Sequence, residues 1–73
     1  MAYSAADLQM ADDHIAQGER HVVLQHALIE RLKNHGLPTE LATQLLADFE
    51  ETLRQHREHR DLMIESIRKD RAS

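Results

Sequence analysis

Histidine is the residue type in this sequence that could most readily do chemistry, with six among 73 residues. Two of them, His56 and His59, lie three residues apart in the segment LRQHREHRDL, residues 53 to 62. On a helix this spacing places two imidazoles one turn apart. Neutral imidazole binds zinc, copper, nickel and iron, so the segment could belong to a metal site.

Four histidines are candidates for such a metal site: His14, His21, His56 and His59. The sequence lacks the usual helical ligand patterns, because no His-x-x-x-His pair and no Glu-x-x-His motif occurs in it. Arg60 also adds positive charge where a cation would bind. Histidine-based binding of a metal or small cofactor is therefore the alternative function, and no cofactor is predicted.

One turn divides the helix-forming sequence into two segments. Gly36 can close a helix in the left-handed conformation, and Pro38 suits the first turn of the helix that follows. Helix 1 is predicted over about residues 5–35 and helix 2 over about 39–69, with a turn at 36–38. A connection this short requires the helices to run antiparallel, as an all-α hairpin.

Capping residues support these boundaries. Ser4 followed by Asp7 approximates a capping box at the start of helix 1, and Thr39 can cap helix 2. The whole chain, residues 1–73, is predicted to form a single helical-hairpin domain. Because so short a chain buries a small fraction of its surface, self-association is the expected source of added stability.

The apolar pattern is wider than one antiparallel partner can cover. Helix 2 has a seam at positions 42, 46, 49, 53, 56, 60, 63 and 67, in alternating steps of four and three. Helix 1 has an apolar sector of roughly 200°. The extra width predicts that two hairpins pair into a dimeric four-helix bundle. The predicted hydrophobic anchors of the interface are Ile15, Val22, Ile29, Leu45, Phe49 and Leu53.

Polar residues interrupt the seam near its middle. In a hairpin that turns near residue 37, facing positions are expected to sum to about 74. This register places Gly18 opposite His56, where the absent side chain would leave room for the imidazole ring, and places His14 opposite Arg60. The predicted polar layer comprises His14, Gly18, His56 and Arg60.

Three interpretations of this polar layer remain open. The favoured one is structural, because a polar group in a helical seam penalises wrong registers and oligomeric states. The second is the metal or cofactor site. The third is a pH-sensitive interface, in which protonated imidazoles beside Arg60 would repel one another and loosen the bundle.

Composition excludes several function classes. The net charge of −4 argues against nucleic-acid binding, and Tyr3 and Phe49 are the only aromatic residues that could stack on bases. No apolar run is long enough to span a membrane, and the first residues do not resemble a secretory signal. The chain has no cysteine, which suits a reducing compartment. A cytoplasmic location is therefore expected.

Catalysis finds little support in the sequence. Ser4 and Ser73 are terminal, and Ser66 has no clear base near it. The acidic residues of helix 2 are spread among basic ones, which is typical of a solvated face. The chain is therefore predicted not to be an enzyme.

Two segments, HIAQGERHVVLQHALIERLKNHG and LATQLLADFEETLRQHREHR, resemble a group of short, uncharacterised bacterial helical proteins. The resemblance covers roughly residues 12 to 64. It includes His14-Ile15, Gly18-Glu19 and Phe49-Glu50 among its paired positions. The group has no established activity, so the resemblance implies no site residues. The predicted function is self-association, as a homodimer, or contact with an unidentified protein partner.

Overall fold

The computed structural model describes residues 3–72 as two long helices joined by a short turn. Helix α1 is Ala5–Asn34 and helix α2 is Glu40–Ala72. The helices lie side by side in an elongated hairpin with extents of 59 × 16 × 13 Å. The prediction of an all-α, two-helix hairpin is confirmed. Helix α2 continues three residues beyond the predicted end at Lys69, and no described helix is long and apolar enough to cross a membrane.

A capping box fixes the start of α1, as predicted. The backbone N–H of Ser4 donates to the Asp7 carboxylate at 2.9 Å, and the backbone N–H of Asp7 donates to the Ser4 hydroxyl at 3.1 Å. Each residue thereby satisfies a backbone donor that the first helical turn would leave unpaired. The Asp7 carboxylate also carries negative charge at the positive end of the helix dipole.

A Schellman motif ends α1 and turns the chain. Gly36 has φ of 67°, in the left-handed region, and its N–H donates to the Lys33 carbonyl at 3.0 Å. The N–H of Leu37 donates to the Leu32 carbonyl at 2.9 Å. These bonds satisfy two carbonyls at the end of the helix. Thr39 precedes α2, and its carbonyl accepts a bond from the N–H of Thr43 at 2.8 Å.

The seam between α1 and α2 follows the alternation predicted for α2. All eight predicted seam positions of α2 are buried or half-buried, and so are positions 8, 11, 15, 18, 22, 25, 29 and 32 of α1. Both helices thus contribute a residue every three or four positions. The apolar side chains that are most deeply buried are Ile29, Leu46, Leu53 and Met63.

Gly18 marks a close approach of the two helices. A Cβ atom added to Gly18 would lie 3.0 Å from the Leu53 Cδ1 atom. The prediction that Gly18 faces His56 is therefore wrong, because Leu53 fills that position. The ring of His56 instead lies against His14. The helices are displaced by about one turn from the expected register.

The turn explains this displacement. Facing positions that sum to about 74 require a symmetrical turn centred near residue 37. Residues 37–39 belong to neither helix, and a non-helical residue can advance by up to about 3.3 Å along the chain, against about 1.5 Å in a helix. The start of α2 is therefore carried further along the seam than a symmetrical turn would carry it.

Substitution of Gly18 tests the close approach. We expect Gly18→Ala to change the free energy of unfolding by less than about 1 kcal/mol, because a helix-propensity gain of that size offsets displacement of the Leu53 methyl group. Gly18→Leu should lower the free energy of unfolding by about 1–3 kcal/mol through overpacking. Urea denaturation measures both. If Gly18→Leu is as stable as Gly18→Ala, the helices do not meet closely here.

The capping box predicts a dependence of stability on pH. The pKa of Asp7 is lowered by the bond from the Ser4 backbone N–H and then by the bond with the Ser4 hydroxyl. Because the pKa is lower in the folded state, this stabilisation is present above the unfolded pKa and is lost as pH falls through the folded one. We expect Asp7→Asn to flatten the acid side of the stability curve measured by urea denaturation. Ser4→Ala should flatten that side less, because the Asp7 carboxylate keeps the bond from the residue 4 backbone N–H, which lowers its pKa most.

Candidate functional site

Two histidines from opposite helices meet in the half of the hairpin away from the turn. The ring centroids of His14 and His56 are 5.2 Å apart, and the ring planes are inclined by 46°. His14 is exposed, whereas His56 is half-buried at a seam position. The pairing joins two of the four histidines predicted as candidates for a metal site.

His14 and His56 line one side of a cavity of about 230 Å³, which we call the histidine cavity. His59 lines it as well, one turn after His56, with its ring edge-on to Tyr3 at a centroid distance of 6.1 Å. The remaining lining residues include Asp7, Met10 and Met63, the last of which is only 3% exposed. The cavity therefore combines imidazoles, one carboxylate and thioethers.

Arg60 does not belong to the histidine cavity. Its guanidinium donates to the Asp12 carboxylate, on the other side of the seam. Arg57 and Glu19 form a second pair between the helices on that side, at 4.0 Å. The prediction that Arg60 faces His14 is wrong. Its positive charge is neutralised by Asp12 rather than placed beside the imidazoles.

The fourth candidate histidine, His21, has a different neighbour. Its ring lies against Phe49 at a centroid distance of 5.3 Å. A second cavity of about 230 Å³ extends from His14 and His56 to His21 and Gly18. His21 is thus near the pair without sharing the histidine cavity. Within residues 3–72, no three His, Cys, Asp or Glu side chains are already arranged to hold one metal ion.

The two sides of the seam differ in chemistry. Helical periodicity places the histidine cavity and the second cavity on one side, and the Asp12–Arg60 and Glu19–Arg57 pairs on the other, which we call the ion-pair face. Six of the nine exposed large apolar residues lie on the side of the cavities, which we call the apolar face. These six are Tyr3, Met10, Leu28, Leu41, Leu45 and Leu62.

The predicted hydrophobic anchors mostly pack within the chain. Five of the six occupy seam positions. Ile29 is 7% exposed and Leu53 is 6% exposed. The other three are half-buried: Ile15, Val22 and Phe49. Leu45 is 44% exposed and lies on the apolar face. The side chains free to contact a second molecule are therefore Leu45 and its neighbours on that face.

Gln25 is a polar seam residue that is not part of the predicted polar layer. It is 7% exposed, and its side-chain N–H donates to the Ala42 carbonyl of α2 at 2.8 Å. The alternation of three and four along α1 could have identified it, since position 25 falls between Val22 and Ile29. A buried polar residue of this kind favours one alignment of the helices.

No protein-family model, curated protein or solved structure matches the chain. The resemblance to short bacterial helical proteins stays a prediction. The geometry of the hairpin is therefore the basis for assigning a function.

Replacement of Gln25 tests whether this residue fixes the alignment of the two helices without stabilising the fold. Ala42 lies inside α2, where its carbonyl also accepts a helical hydrogen bond, so Gln25→Leu leaves no group unpaired. We expect Gln25→Leu to retain the free energy of unfolding or raise it by up to about 1 kcal/mol. Spin-label distances between the helices should broaden, because the alignment is then less restricted. A loss above about 2 kcal/mol in urea denaturation would show that the Gln25 bond is strongly stabilising.

Proposed function

We propose that the chain acts through self-association, with two hairpins packing their apolar faces together as a dimeric four-helix bundle. The observation that carries this proposal is the placement of six of nine exposed large apolar residues on one side of the hairpin. Scattered apolar residues are normal on a protein surface, but a group on one side is typical of an interface.

The surface of the isolated hairpin supports the proposal. The chain exposes 5718 Å², whereas a globular monomer of 8.4 kDa exposes about 4,600 Å². No described side chain is fully buried. A single pair of helices leaves much of its apolar surface in water, and burial of that surface against a second molecule is favourable.

One broad side of the hairpin is large enough for a protein interface of standard size. The hairpin is 59 Å long and 16 Å wide. A footprint of this size is comparable with the roughly 800 Å² per partner that a standard protein interface buries. Packing along the whole face would therefore give an interface of ordinary size without any change in the hairpin.

A second copy of the chain is the partner that fits this face. Apolar side chains occupy both of its ends, with Met10 and Leu62 away from the turn and Leu28 and Leu45 close to it. The more polar middle contains His14 and its neighbours. A two-fold axis presents the same surface on both subunits, so each apolar end meets apolar residues of the partner. The ion-pair face remains in water.

Charged substitutions on the apolar face test this assignment. We expect the wild-type chain to sediment as a dimer and the variant Leu28→Glu/Leu45→Glu to sediment as a monomer of 8.4 kDa. The reason is that the dimer would bury four unpaired carboxylates, two from each subunit. The two leucines are 36% and 44% exposed in the hairpin, so the helices themselves should persist in circular dichroism.

A matched control places the same charges on the opposite side. Val23→Glu/Ala47→Glu also adds two carboxylates at exposed positions of α1 and α2, and it should remain dimeric. A monomeric wild-type chain at every concentration would contradict the proposal. So would equal dissociation of both variants. A wild-type monomer that forms a stable complex with a different protein would instead assign the apolar face to that partner.

A further inference from the structure

We propose that His14 and His56 bind a late transition-metal ion within one chain, with His59 as the third ligand. The proposal is independent of self-association, because all three imidazoles belong to the same hairpin. The two helices would then be joined by a metal bridge in the half of the hairpin that lies away from the turn.

The separation of the two rings carries the proposal. A metal–nitrogen bond is about 2.0 Å long, so two imidazoles on one tetrahedral ion have ring centroids about 5 Å apart. The observed centroid distance between His14 and His56 is 5.2 Å. The helices thus hold the two rings at a centroid spacing that is compatible with a shared ion.

His59 is placed to complete the ligand set. It follows His56 by one helical turn and lines the same cavity. Its ring now lies edge-on to Tyr3. Because the described arrangement does not bring three ligands together, the third bond requires rotation of the exposed His59 side chain. Side-chain rotation in an exposed residue is fast and needs no movement of the helix.

The charges around the histidine cavity favour a cation. Asp7 supplies a carboxylate to the lining, and the lining contains no Lys or Arg. Arg60, the nearest arginine along the seam after His56, is paired with Asp12 on the ion-pair face. The sequence-based objection that Arg60 would repel a metal ion at this site is therefore removed.

The donor set indicates which ions to expect. Imidazole nitrogens suit copper, nickel and zinc, and the thioethers of Met10 and Met63 in the same cavity suit the reduced ion, Cu⁺. Magnesium and calcium prefer oxygen ligands and should not compete. Copper also has the highest affinity of the divalent series for nitrogen sites, so Cu²⁺ should bind more tightly than Ni²⁺ or Zn²⁺.

The experiment is titration of the wild-type chain with Cu²⁺, Ni²⁺, Zn²⁺ and Mg²⁺ by isothermal calorimetry, with thermal melting in parallel. We expect one Cu²⁺ per chain, a higher melting temperature with bound ion, and no response to Mg²⁺. Electron paramagnetic resonance of the Cu²⁺ form should show nitrogen hyperfine coupling. His14→Ala should weaken Cu²⁺ binding at least tenfold. Since His14 is exposed, this variant should keep its helical circular dichroism.

A matched variant controls for histidine content. His14→Ala/His59→Ala removes two imidazoles of the cavity, and His26→Ala/His35→Ala removes two that do not line it. Only the first pair should abolish stoichiometric binding. The proposal is overturned if the wild-type chain shows no stoichiometric binding of Cu²⁺, Ni²⁺ or Zn²⁺, or if the two double variants lose affinity equally. Oligomeric state, measured on the same samples by sedimentation, reports separately on self-association.

Discussion

The close packing of Leu53 on Gly18 is the constraint on which the remaining geometry depends. Because Gly18 has no side chain, α1 can approach α2 at this point, and the contact fixes which residues face each other along the seam. About one helical turn away on either side of this contact, His56 lies beside His14 and Phe49 lies beside His21. A different register would pair each of these rings with another residue.

The antiparallel packing also explains why the two sides of the hairpin differ. Residues that flank the seam of α1 on one side meet residues that flank α2 on the same side. On one side, the ion-pair face, charged residues of the two helices form the pairs Asp12–Arg60 and Glu19–Arg57. The exposed Glu19–Arg57 pair contributes little to stability, but the charges of both pairs make that side unsuitable for burial. The apolar face is left as the side able to contact a second molecule.

Residue types close together in the sequence predicted the helices and their ends. They did not predict how the two helices align with each other. The Ser4–Asp7 capping box, the left-handed Gly36 and the eight seam positions of α2 each follow from residue types within a few positions of one another. The predicted register was wrong because the register depends on the path of residues 37–39. The apolar periodicity of the helices contains no information about that path. The predicted direction of Arg60 was wrong for a related reason, since the carboxylate that it contacts belongs to Asp12, 48 residues away on the other helix.

Self-association and metal binding would be coupled if both occur. Packing two apolar faces together would remove water from His14, and a buried polar ring is costly unless a partner satisfies its nitrogens. A metal ion bound by His14 and His56 would satisfy one nitrogen of each ring, but it would also bring its own charge into the interface. Asp7, in the same cavity, supplies a negative charge that reduces this cost. Whether the bound ion strengthens or weakens dimerisation therefore depends on whether the ion keeps access to water. By linkage, dimerisation would change the metal affinity by the same factor as the metal changes the dimerisation constant.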